Sequence, residues 1–98
     1  MKKDLKKILT TLRSLKPYLS KTYNVKEIEV FGSFIRKEQR INSDLDILVT
    51  FSKTPGLLEF IRLENDISDT LGIKVDLVMK DSIKPELKKY ILNEAVIV

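Results

Sequence analysis

The sequence predicts an α+β fold, mixed α/β in its chain order: a small mixed β-sheet with helices packed mainly on one side. Two observations carry that prediction. Apolar residues recur at helical spacing in the stretches 3–15 and 57–71, and three strand-like runs, 25–31, 45–51 and 73–79, lie between helical stretches. The 98 residues give one domain, 1–98, large enough to close a modest core without staples and too small for a separate substrate-recognition domain.

Leu5, Ile8, Leu9, Leu12 and Leu15 fall on one helical face, so a helix is expected from about Lys3 to Leu15. Pro17 interrupts the pattern. Because proline suits a first helical turn, "KPYLSKTY" reads as a second short helix or a kinked continuation ending near Asn24. "VKEIEVF", Val25 to Phe31, alternates as a first strand and stops at Gly32, after which "SFIRKE" suits a helical turn opening on Ser33. "QRINS" is a loop. Leu45 to Phe51 is apolar on both faces, which points to burial in the middle of a sheet. "SKTPG" turns the chain, and Leu57, Phe60, Ile61, Leu63, Ile67 and Leu71 mark a helix stopped by Gly72. "IKVDLVM" is a third strand. Asp81 or Ser82 can cap a last helix, with Pro85 in its first turn and an end near Asn93. The final "AVIV" can add an edge strand, pack on the sheet or face a partner. These patterns leave the strand order open.

Composition removes whole classes of chemistry. With no cysteine and no histidine, disulfides, thiol catalysis, zinc sites of the usual Cys/His kind and histidine acid/base work are excluded, so any metal must be held by oxygen. No stretch approaches the roughly 20 consecutive apolar residues of a membrane span, and the lysine-rich start resembles no secretory leader; a cytoplasmic location and no membrane partner are expected. The net charge of +4 is concentrated locally: from Met1 to Lys26 eight basic residues face one acid, Asp4. That end is either a solvated helix face or a docking surface for an acidic partner, a nucleotide or a nucleic acid.

The informative stretch is "SDLDILVTF". Residues two apart on a strand point to the same side, about 6.5 to 7 Å apart, so Asp44 and Asp46 present their carboxylates together while Leu45 faces away. Two like charges beside a buried strand repel and lose hydration unless a cation neutralises them. Mg²⁺ is the expected occupant, and two such ions about 3.5 to 4 Å apart could be bridged by the pair. Asp76, which interrupts the apolar run of the third strand, is the candidate third carboxylate if that strand lies beside the second. Gly32 permits a bend and a close backbone approach, Ser33 adds a hydroxyl, and N–H groups of the turn can cradle a triphosphate. Arg36, Lys37 and Arg40 follow one to two turns later, with Arg36 best spaced to balance phosphate charge. Together these residues suggest metal-assisted nucleotidyl transfer with no side-chain nucleophile. The plain alternatives are a strand-flanking Ser43-Asp44 turn, an Asp76 ion pair with Lys74 or Lys80, an ordinary turn at Gly32, and an Arg36 ion pair with Glu38 or another acid.

The combination of G-S, then S-D-x-D ahead of an apolar strand, then a later acid inside another apolar strand resembles the minimal nucleotidyltransferase (MNT) domains of the DNA polymerase beta superfamily. The matching residues are Gly32, Ser33, Arg36, Ser43, Asp44, Asp46 and Asp76, and the similarity runs over nearly the whole chain. The resemblance implies a palm-like nucleotidyltransferase fold, catalysis and metal binding at Asp44, Asp46 and Asp76, and nucleotide binding at Gly32, Ser33, Arg36 and Ser43. It also implies two Mg²⁺ ions, ATP as substrate and AMP transfer. In many members the domain is the antitoxin of a type VII-like pair, and a tyrosine hydroxyl of its HEPN-domain RNase toxin is the acceptor. The family signature is usually written G-S-x-A-R-G; here it is "GSFIRK", with Ile35 for the small residue and Lys37 for the second glycine.

Three functions follow as expectations: an AMP-transferring antitoxin, a non-catalytic module that neutralises a toxin by occlusion, and the catalytic subunit of a two-chain enzyme acting on a small molecule. Stable nucleic-acid binding is not expected, because no thumb-like or fingers-like extension is visible to hold a duplex.

Overall fold

The computed structural model describes residues 4–40 and 43–98. Helix α1 (Leu5–Tyr23) opens on Asp4, whose carboxylate accepts from the Lys6 amide at 3.1 Å. It closes on Asn24 in the left-handed conformation, whose N–H donates to the Leu19 and Ser20 carbonyls. Pro17 lies inside this one helix, so the continuation, not a separate second helix, is what forms. Ile8, Leu12 and Leu19 are its buried residues.

Strand β1 (Val25–Phe31) pairs antiparallel with β2 (Leu45–Phe51), and β2 pairs parallel with β3 (Val75–Met79). Between them runs helix α2 (Leu57–Leu71), with the bounds the apolar pattern predicts, ended by Gly72 at φ 69°. Helix α3 (Pro85–Glu94) leads into a two-residue strand, β4 (Val96–Ile97), antiparallel to β1. The sheet order is β3-β2-β1-β4. The terminal "AVIV" therefore adds an edge strand.

The period of two sorts the side chains. Ile28, Val30, Leu45, Ile47, Val49, Val75 and Leu77 form one cluster with Leu12, Leu19, Leu63 and Ile67 of α1 and α2. By alternation the other face carries Asp46 and Asp76, with Glu29, buried to 6% exposure and paired at 2.9 Å with Lys80. Helix α3 contributes no fully buried residue.

The outer edge of β3 is covered in an economical way. The Val75 amide donates to Ser68 Oγ at 3.0 Å, and the Leu77 amide donates to Glu64 Oε2 at 2.9 Å. Helix residues four apart rise about 6 Å and strand residues two apart about 6.6 Å, so one face of α2 matches the alternate N–H groups of the strand.

Residues 33–37 form the turn expected after Gly32, without continuing into a helix: the Ile35 and Arg36 amides both donate to the Gly32 carbonyl, and Glu38 donates to that of Ser33. Two local expectations change. The third strand starts at Val75, after Ile73 and Lys74 complete the turn from Gly72. Asp81 and Ser82 belong to a short 3-10 turn, Lys80–Ser82, and cap nothing; Lys84 is the N-cap of α3, without a side-chain bond, and Pro85 takes the first turn as expected. Ile41 and Asn42 of the "QRINS" loop, and Lys2 and Lys3 of the basic start, lie outside the described residues.

Candidate active site

The parallel pairing of β2 with β3 sets Asp46 directly opposite Asp76, while the antiparallel pairing with β1 sets Asp46 opposite Phe31, one residue before the Gly32 bend. Asp44 precedes β2, and the Leu45 amide extends the β2–β3 ladder by donating to the Lys74 carbonyl at 2.8 Å. Asp44 and Asp46, from the start of β2, and Asp76, from the neighbouring strand, are thus carried at one sheet end. They are spread along that end: among the described residues no three acidic side chains are already gathered around a single point.

Asp46 sits innermost. Its carboxyl is pushed from the usual 3.8 up to about 6, first by burial and then by the negative charges of Asp76 and Asp44; Arg36 opposes this and Glu94 adds to it. Asp76 is exposed and, among the described residues, forms no ion pair; Lys80, one of its suggested partners, is engaged by Glu29.

Gly32 is required for two reasons. Its φ of 84° is one that side chains rarely adopt, and a Cβ there would run into the Asp46 carboxylate, 2.9 Å from its Cγ. The bend and the acid are therefore in van der Waals contact. Ser33 is half-buried at the start of the turn. Lys37 holds φ 59°, the left-handed conformation, which is where the family signature places its second glycine. Ile35, in place of the small residue of that signature, is partly buried against the core. Ser43 closes the following loop: its hydroxyl accepts from the Arg40 amide at 2.7 Å, and its own amide donates to the Arg40 carbonyl at 3.0 Å.

Arg36 projects from the turn and is paired with two acids, Glu94 at 3.0 Å and Glu38 at 3.5 Å. Glu94 is the residue that sequence reasoning missed. Its Oε1 accepts from the Gly32 amide at 2.9 Å as well as from Arg36. The signal lay in "AVIV": pairing that segment with β1 carries the end of α3 to the bend. Lys37 and Arg40 are exposed.

The arrangement joins an oxygen-only, negatively charged sheet end to a bend with N–H and guanidinium donors. Such a donor set suits a hard divalent cation, which would relieve the mutual repulsion that burial imposes on Asp46. The site lies at a sheet end and not in a hole; a concavity of about 460 Å³ near the start of β3 is lined by Glu64, Ser68, Gly72 and Lys74 among others and includes none of the three acids.

The chain is similar to known proteins over nearly its whole length. The nucleotidyltransferase domain family matches residues 5–98. A protein adenylyltransferase, MntA, of Thermococcus cleftensis is 46% identical over 94 residues, covering 96% of this chain and 95% of its own. A solved structure of a candidate minimal nucleotidyltransferase superposes with a TM-score of 0.76 at 34% identity, covering 92% of each chain. A toxin–antitoxin crystal structure with AMP-PNP superposes with a TM-score of 0.69 at 26% identity, over 94% of this chain and 69% of that one.

Proposed function

Because the chain belongs to the nucleotidyltransferase domain family, we propose that it transfers AMP from ATP to a hydroxyl of a partner protein, acting as the antitoxin of a toxin–antitoxin pair. The observation that carries this is the placement of Asp46 opposite Asp76 and against Gly32, which sets carboxylates beside a bend whose hydrogen-bond donors would take the phosphates. The name of the Thermococcus relative supports the reaction, and the toxin–antitoxin structure with a bound ATP analogue supports both the nucleotide and the kind of partner. The acceptor expected from the family resemblance is a tyrosine of a HEPN-domain toxin.

In this reaction an acceptor hydroxyl oxygen bonds to the α-phosphorus, the bond to the β-phosphate oxygen breaks, and pyrophosphate leaves. Asp44, Asp46 and Asp76 would hold divalent cations, expected to be Mg²⁺. Bound there, such ions would supply a lowered pKa for the attacking hydroxyl and a counter-charge for the departing pyrophosphate. The chain's own residues do the rest. Gly32 lets the backbone come close to the phosphates, Ser33 and Ser43 offer hydroxyls, and Arg36 balances charge. Asp76, exposed at the rim, would receive the hydroxyl proton or hold the cation that eases its loss. A sheet-end site with the chemistry at its rim fits an acceptor delivered by another chain.

Incubation with ATP labelled at the α-phosphate, Mg²⁺ and the co-encoded candidate toxin tests the proposal. Label on a tyrosine of that protein is expected, and Asp46→Asn abolishes it while the fold is retained. Tight complex formation without label transfer would refute catalysis in favour of occlusion, and label on an added small molecule alone would refute the protein acceptor.

A further inference from the structure

Glu94 is the last residue of α3, yet it reaches the bend after β1. The register explains how. β4 sets Val96 opposite Val30 and Ile97 opposite Glu29; continuing that antiparallel register by two residues places residue 94 opposite residue 32. The carboxylate then takes three contacts from two donors, the Gly32 amide at 2.9 Å and Arg36 Nη1 at 3.0 Å to each oxygen. These are the donors that the proposed nucleotide site gives to phosphate. A carboxylate and a phosphate present similar charged oxygens to a guanidinium and an N–H, and both cannot occupy the same donors.

We propose that Glu94 is an internal stand-in for phosphate, filling the Gly32–Arg36 cradle in the nucleotide-free chain and leaving it when the triphosphate binds. This rests on the assignment of Gly32 and Arg36 to phosphate binding. Two further features fit a contact made to be broken. Helix α3 has no fully buried residue and no side-chain cap at its start, so little packing of the helix itself opposes a shift of its end, while Val98, buried in the core and donating to the Ile28 carbonyl at 3.0 Å, holds the chain beyond it. Glu94 would also meet incoming phosphates as a like charge across the same donors. Glu94 thus sets nucleotide affinity through competition, and its side chain with the end of α3 is what moves.

Calorimetric titration of the full chain with inorganic tripolyphosphate, and separately with a non-hydrolysable ATP analogue and Mg²⁺, tests this in the parent, Glu94→Gln and Glu94→Asp. The glutamine removes the competing charge and the aspartate shortens the reach. Both are expected to bind the probes more tightly, roughly three- to tenfold, the scale of losing one partly exposed charged contact. Hydrogen exchange of the α3 amides in the parent is expected to quicken when the analogue is bound. Weaker binding in both variants, or α3 exchange indifferent to the analogue, would show instead that Glu94 holds Arg36 in a productive pose and would overturn the proposal. Binding of neither probe to any of the three chains would overturn the phosphate assignment itself, and the stand-in with it, which separates the two failures.

Discussion

Replacing Asp46 by asparagine should stabilise the metal-free protein at neutral pH, although it removes a residue central to the proposed chemistry. The carboxyl is raised from 3.8 to about 6, chiefly by burial and by Asp76. A folded pKa above the unfolded one means that the native state binds the proton more tightly. The stability this contributes is complete below about pH 4 and is lost as pH climbs through 6. Two units correspond to about 3 kcal/mol, and screening of a side chain that stays partly open to water reduces this to roughly 1–1.5 kcal/mol. For a domain of this size that is a gain of roughly 5–10 °C in melting temperature. Thermal unfolding of the parent and Asp46→Asn in chelator at pH 8 should show that gain, shrinking toward zero at pH 4. Adding Mg²⁺ should then raise the parent, by about 2.7 kcal/mol at a hundredfold excess over its dissociation constant, and leave the variant nearly unmoved. An asparagine variant that melts below its parent at pH 8 in chelator would refute the reasoning, because the carboxylate would then not be paying for desolvation among like charges.

Gly32→Ala combines a left-handed φ with a Cβ driven into the Asp46 carboxylate, so it should cost roughly 2 kcal/mol or more in urea unfolding and also remove the Mg²⁺-dependent rise in melting temperature. Lys37→Gly relaxes a left-handed lysine at the cost of some unfolded-state entropy, and a net gain of about 0.5–1 kcal/mol in the urea midpoint is expected. Ser68→Ala strips the Val75 amide of its acceptor at the β3 edge; a loss of about 1 kcal/mol, with faster hydrogen exchange confined to β3, should follow.

Much of this molecule was legible in its sequence because the determining features were local. The bounds of α2 follow from Leu57 to Leu71 and the glycine behind them, and the cores of β1 and β2 follow from alternation and from a doubly apolar run. The acids at 44, 46 and 76 stood out because each breaks or borders an apolar strand. Failures came where tertiary contacts decide. The turn at 33–37 is expected, but the left-handed Lys37 that ends it is not, because a lysine does not announce that conformation. Of the two readings of the Pro17 stretch the continuation forms, a choice the local pattern left open, because flanking residues such as Leu12 and Leu19 are anchored in the core, outweighing one missing hydrogen bond. Glu94 escaped notice because its role depends on β4 choosing β1 as its neighbour, and a two-residue strand carries almost no pattern.

The pairing of position 46 with position 76 has a consequence for how such a centre can fail or evolve. Were β3 to slide by a single residue along β2, Asp76 would turn through the sheet into the oily layer beneath, and Leu77 would take its place beside Asp46. No intermediate alignment keeps a weakened version of the pair. Chemistry at this end therefore switches with strand alignment in one step, and the apolar teeth of Val75 and Leu77 that lock the alignment guard the reactive groups as surely as they guard the core.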